Sequence, residues 1–151
     1  MKKIVFALAF AALLVGPAAA SDKTDVLVPV QQFVAGFNAG DVPKAAAVCT
    51  DELSIIDDFP PHEWHGAGAV LRWFADFGVE AKKNVITEGR VTLGTPRHID
   101  VNGDRAYVVI PSNFTYKMKG KPMKQTGSMF TFALQKTGVG WRIAAWSWAK
   151  N

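Results

Sequence analysis

The sequence predicts an α+β domain in which helices pack on one face of a curved antiparallel sheet. Three observations predict it. Apolar residues recur at helical spacing through the first half, β-favouring residues alternate through the second, and turn signals punctuate that second half at intervals suited to a meander. With 151 residues, 49% hydrophobic, 20% charged and 11% aromatic, the chain holds one ordinary globular domain and is too apolar for disorder.

The N-terminus reads separately. Met1-Lys2-Lys3 is a short positive start, Ile4 to Val15 is an unbroken apolar run, and Gly16-Pro17 ends it before Ala18-Ala19-Ala20. This is the pattern of a cleaved secretory leader over 1–20, too short to cross a bilayer of about 30 Å as a helix. The expected mature chain is Ser21 to Asn151, periplasmic or secreted, with no membrane partner after leader removal. Of 17 basic residues against 13 acidic, two lie in that leader, so no charge-driven nucleic-acid binding is expected. The single cysteine, Cys49, excludes an intrachain disulfide and reads as a small buried hydrophobe on a helix.

In the first helix Val26, Val30, Phe33, Val34 and Phe37 form one apolar stripe, with Asp25 as a candidate cap and Pro29 tolerated in the first turn. Gly40-Asp41 ends it and caps a short Ala-rich helix over 42–49. Leu53 to Asp58 reads as a brief strand closed by Pro60-Pro61. A third helix, about 67–77, places Val70, Leu71, Phe74 and Phe77 on one side. Strands follow over 85–99, 105–117, 124–136 and 141–150, joined by turns at Asn102-Gly103, Lys119-Gly120 and Gly138 to Gly140. Trp146 and Trp148 share parity with Arg142 and Lys150. They face outward unless a bulge intervenes, and either a bulge or a subunit interface should hide them.

The densest polar and aromatic stretch is Ile55 to Gly66, with Asp57, Asp58, His62, Glu63 and His65. Adjacent strand residues face opposite ways, so Asp57 rather than Asp58 shares a face with Leu53, Ile55 and Phe59. A carboxyl among apolar groups has its pKa raised toward general-base usefulness. The alternative is that Asp57 stabilises the Pro-Pro loop. His62 and His65, on what reads as a loop, are hydrogen-bonding groups rather than metal ligands, and no metal or cofactor motif is present.

The order of these elements resembles the NTF2-like superfamily and, within it, the SnoaL-like group. Phe37-Asn38-Ala39-Gly40-Asp41, Ile55 to Gly66 and the closing Gly140-Trp141-Arg142-Ile143 carry the resemblance. It implies a cystatin-like cone with an apolar cavity, commonly dimeric, and no single function. It also places Asp57 where ketosteroid-isomerase-like members carry their catalytic Asp. Phe33 occupies the position of their Tyr donor, and no carboxylic acid lies near Ser128 to Phe130, so a steroid isomerase of the standard kind is not expected. Candidate cavity-lining residues are Phe33, Phe37, Trp64, His65, Trp73 and Phe74. The function expected is the holding of a small, largely apolar molecule, with proton-transfer chemistry by Asp57. A non-catalytic carrier or sensor, or a structural homodimer with a self-filled pocket, remains as the alternative.

Overall fold

A computed structural model describes residues 22–151. The expected leader over 1–20 lies outside the described residues. The described residues include the helices α1 (Leu27–Ala39), α2 (Val42–Ala46) and α3 (Ala69–Asn84). Seven strands are β1 (Cys49–Ile56), β2 (Glu63–Gly66), β3 (Ile86–Leu93), β4 (His98–Asn102), β5 (Arg105–Met118), β6 (Lys121–Thr137) and β7 (Gly140–Ala149). They form one curved, unclosed sheet in the order β2-β1-β7-β6-β5-β3, with β4 also on β5. Among the described residues only β1 and β7 run parallel. The long β5 takes two partners on one edge, β4 along 105–109 and β3 along 112–118.

Local chemistry sets the boundaries. Gly40 ends α1 at φ 67, and the Asp41 carboxylate accepts the Lys44 N–H at 3.0 Å to cap α2. At the β5–β6 turn both Lys119 and Gly120 take positive φ, as a two-residue hairpin with the twist of its strands requires. At the β4–β5 turn only Gly103 does, so the two central residues are Gly103 and Asp104, one step beyond the Asn-Gly pair expected.

Bulges bend the sheet. One sits at Thr126-Gly127 of β6, where Ser112 pairs with Ser128 but Phe114 pairs with Gln125. Another lies in β7, where Ala133 faces Ala145 and Leu134 faces Ile143, leaving Ala144 without a partner. This second bulge shifts parity by one. Trp141, Ile143, Trp146 and Trp148 therefore all turn inward and are buried, and the bulge, not a subunit interface, hides the tryptophans.

Three boundaries differ from expectation. The α2 helix stops at Ala46, and Cys49 opens β1 instead of lying on a helix, because Thr50 to Ile56 extend the strand toward the N-terminus. The α3 helix runs on to Asn84, since Gly78 meets no neighbour and Glu80 to Lys83 are good helix formers. On α3 it is Trp73, with Val70, that is buried, whereas Leu71 is turned a further 100° around the axis and is exposed. The core between helices and sheet centres on Phe33, Leu53, Ile55, Val108, Ile110, Phe132, Leu134 and Ile143.

Candidate functional site

The site forms where β1 ends. Asp57 follows the strand, and its backbone is stapled across the β1–β2 connection: its N–H donates to the His62 carbonyl at 3.0 Å, and its carbonyl meets His62 Nδ1 at 3.1 Å. Pro60-Pro61, joined by a cis peptide, makes the reversal, and β2 returns with Glu63 opposite Ile56. The segment carrying His65 is thus a strand, not a loop.

Continuing the inward parity of Leu53 and Ile55, the Asp57 side chain is buried. Trp73 Nε1 donates to its Oδ2 at 2.8 Å, and the Asp58 N–H donates to its Oδ1 at 2.7 Å. Desolvation raises the carboxyl strongly, the two N–H donors oppose that rise, and the neighbouring Asp58 carboxylate adds to it. The net result is a pKa pushed up from 3.8 to about 7. The two readings of this residue are therefore not exclusive: it accepts a loop N–H and is also raised, because burial outweighs the hydrogen bonds.

Asp57 borders a cavity of about 60 Å³ between α1, α3 and the concave sheet face. Phe33, Phe37, Trp73 and Phe77 wall it from the helices, and Phe114, Phe130, Trp146 and Trp148 from the sheet. Gln125, Asp58, Phe59, Val34 and Val91 complete the lining. Much of the interior is filled by the aromatic rings themselves: Phe33 and Trp146 lie 5.7 Å apart, and Trp73 and Trp146 meet edge to face at 4.9 Å. Two polar groups on this wall, Gln125 Nε2 and Trp146 Nε1, are buried with no hydrogen-bond partner among the described residues. Asp58 is on the cavity wall as well, against its expected place on the opposite face. The chain leaves β1 at Ile56, so strand alternation no longer governs it, and Lys150 Nζ lies 3.4 Å from Asp58 Oδ2.

Of the six side chains singled out as lining, Phe33, Phe37 and Trp73 are brought together around the cavity. Trp64, His65 and Phe74 stand elsewhere. Trp64 is buried under Phe59 and spends its indole N–H on Asp76 Oδ2 at 2.8 Å. His65 points to solvent beside Ser54 and Glu63, as its place opposite Ser54 on the outer face dictates. Phe74 backs the wall against Phe33, Phe37 and Trp73. Sequence reasoning missed Trp146, Trp148 and Gln125, since each lies at or beyond a bulge that resets parity. Phe77 was legible on the apolar side of its helix but was not assigned to the cavity, and Phe114 was not singled out. Among the described residues no three His, Cys, Asp or Glu side chains are grouped to hold a metal ion.

The model of the SnoaL-like domain family matches residues 26–148. No curated protein sequence matches the chain. Among solved structures, a ketosteroid isomerase-like protein from Erwinia carotovora atroseptica is similar at 16% identity and TM-score 0.67, covering 85% of this chain and 95% of that one. An NTF2-like superfamily protein from Salmonella enterica serovar Typhimurium is similar at 17% identity and TM-score 0.72, covering 88% and 93%. A hexachlorocyclohexane dehydrochlorinase from Novosphingobium barchaimii is similar at 9% identity and TM-score 0.74, covering 88% of each. At these identities the likeness is one of fold.

Proposed function

Given that the chain belongs to the SnoaL-like domain family, we propose that its cone holds a small, largely apolar molecule and that Asp57 moves a proton on it as general base. The observation that carries this reading is a carboxyl buried among aromatic rings, held through both oxygens by N–H donors and raised to about 7. Such a group is poised to take a proton from carbon near neutral pH and to return it elsewhere on the same molecule. Negative charge left on the substrate needs a donor. Phe33 offers none, but Gln125 Nε2 and Trp146 Nε1, on the same wall, have no partner among the described residues. They favour a ligand that carries an acceptor atom, because an unpaired buried donor is costly until one arrives. Two of the similar structures are named for an isomerase-like protein and a dehydrochlorinase, which agrees with chemistry that begins by removing a proton.

The second reading, a non-catalytic carrier, is favoured by the small cavity, about 60 Å³, whose walls are mostly aromatic rings suited to holding an apolar molecule. One experiment separates the two: the ligand that co-purifies is identified by native mass spectrometry, then incubated in D₂O with the protein and with Asp57→Asn. Deuterium uptake at carbon that the variant abolishes supports the base; binding with no uptake supports the carrier.

The same proposal includes export of the mature chain and a homodimer. The leader pattern supports export. With Trp146 and Trp148 inside, the dimer rests on outer-face apolar groups such as Ile56, 58% exposed, and Tyr107, 47% exposed. Intact mass of periplasmic material and sedimentation at micromolar concentration test these two points.

A further inference from the structure

The charge of this domain is segregated. At the end of the sheet where β5 turns into β6, the last turn of α3 and the start of β3 come together with the hairpin, the Lys119 N–H donating to the Val85 carbonyl at 2.9 Å. This end carries Lys82, Lys83, Arg90, Lys117, Lys119, Lys121 and Lys124 against Glu80 and Glu88. The rest of residues 22–151 carries eight cations against eleven carboxylates. Lys117 pairs with Glu88 and Lys83 with Glu80, while Lys82, Arg90, Lys119, Lys121 and Lys124 have no ion-pair partner among the described residues. The tip also protrudes. Strand β7 pairs with β6 only from Met129 onward, so Lys121 to Lys124, all exposed, have β5 as their one neighbouring strand among the described residues. Between the lysines stand Met118, Pro122 and Met123, the last 42% exposed.

We propose that this hairpin tip docks the protein on an anionic lipid surface, without crossing it. Unpaired lysines around exposed methionine suit a plane of phosphate headgroups over hydrocarbon, where each cation gains from the surface potential and the thioether side chain enters the interface. A nucleic acid would call for a groove lined by arginine forks and stacking rings. The tip is narrow, with a single arginine, and its nearest ring, Tyr116, is stacked on Phe114. No membrane partner was expected once the leader is removed, and the near balance of total charge conceals its concentration at one end.

The test is co-sedimentation of the protein, as recovered from expressing cells, with vesicles of phosphatidylcholine alone and of phosphatidylcholine mixed with phosphatidylglycerol. Binding is expected only to the anionic vesicles and should fall with added salt. Lys119→Gln/Lys121→Gln/Lys124→Gln should weaken it on the order of 10²-fold. The same charge loss at the opposite end, Lys44→Gln/Arg105→Gln/Lys136→Gln, should leave most of it. Equal losses from both variants would reduce the effect to net charge and overturn the proposal. So would absence of binding to anionic vesicles at low salt, or retention of DNA oligonucleotides in place of vesicles.

Discussion

Trp73 and Asp57 join α3 to the end of β1 through a 2.8 Å indole–carboxylate hydrogen bond, and three residues further along α3 Asp76 accepts the same kind of bond from Trp64 on β2. The helix thus grips both strands of the β1–β2 hairpin through paired Trp and Asp side chains that exchange donor and acceptor roles. The two bonds differ in consequence. Asp57 is buried on the cavity wall, where the Trp73 indole and the Asp58 N–H are the donors among the described residues that favour its ionised form.

Trp73→Phe should therefore push the Asp57 pKa above about 7. Lost hydrogen bonds to charged groups typically cost about 1.5–3 kcal/mol. The expected destabilisation is of that size at pH 8, where Asp57 is mostly ionised, and smaller at pH 5, where it is mostly protonated. Urea melts at the two pH values check this, and equal losses at both would mean that only ring volume had been removed.

Cys49 should be inert in the folded protein. Burial pushes its thiol up to about 12, with nearby Arg142 opposing weakly, and its Sγ sits 3.6 Å from the Ala45 carbonyl. A disulfide reagent at pH 8 should modify it only as fast as the protein opens, and modification at the rate of a free thiol would contradict the burial.

Gly36 faces α2 where α1 crosses it. A Cβ at this position would stand 2.7 Å from the Ala45 nitrogen and 3.0 Å from its Cα, which are backbone atoms that cannot swing away. Helix propensity alone would make Gly36→Ala stabilising by about 1 kcal/mol. Overpacking should reverse the sign, costing about 1–3 kcal/mol, and a urea midpoint above that of the unmodified chain would show the helices free to part.

The helical stripe of Val30, Phe33 and Phe37, the Gly40-Asp41 punctuation and the inward parity of Asp57 were legible because each depends on residues within one or two turns of the chain. The wall made by Trp146, Trp148 and Gln125 was not. Its orientation is decided by Ala144 and by Thr126-Gly127, single extra residues whose effect shows only against a partner strand. Trp64 illustrates a further limit. It was assigned to the cavity lining, but whether a buried Trp borders a cavity depends on where its N–H finds an acceptor, and Asp76 lies on a different element.

Asp57→Asn joins the stability and the chemistry of the site in one variant. In the folded protein the carboxyl holds its proton up to about pH 7, whereas in the unfolded chain it releases it near 3.8. Its favourable contribution is therefore complete below about pH 4 and is lost as the pH rises to 7, amounting to on the order of 4 kcal/mol across that window. Asparagine cannot ionise, so the stability of the unmodified protein relative to the variant should fall over this interval and level off above it. The variant gives up one contact, since its single amide oxygen cannot serve both Trp73 Nε1 and the Asp58 N–H, a loss of about 1 kcal/mol. At pH 8 it should nonetheless be the more stable of the two. Activity should move the other way. A base works only when ionised, so kcat/KM should climb through about pH 7 to a plateau, and the variant should fall by at least about 10²-fold there. A variant more stable at pH 8 yet fully active would leave Asp57 as a buried structural acid; one less stable at every pH would show the carboxylate holding the loop together.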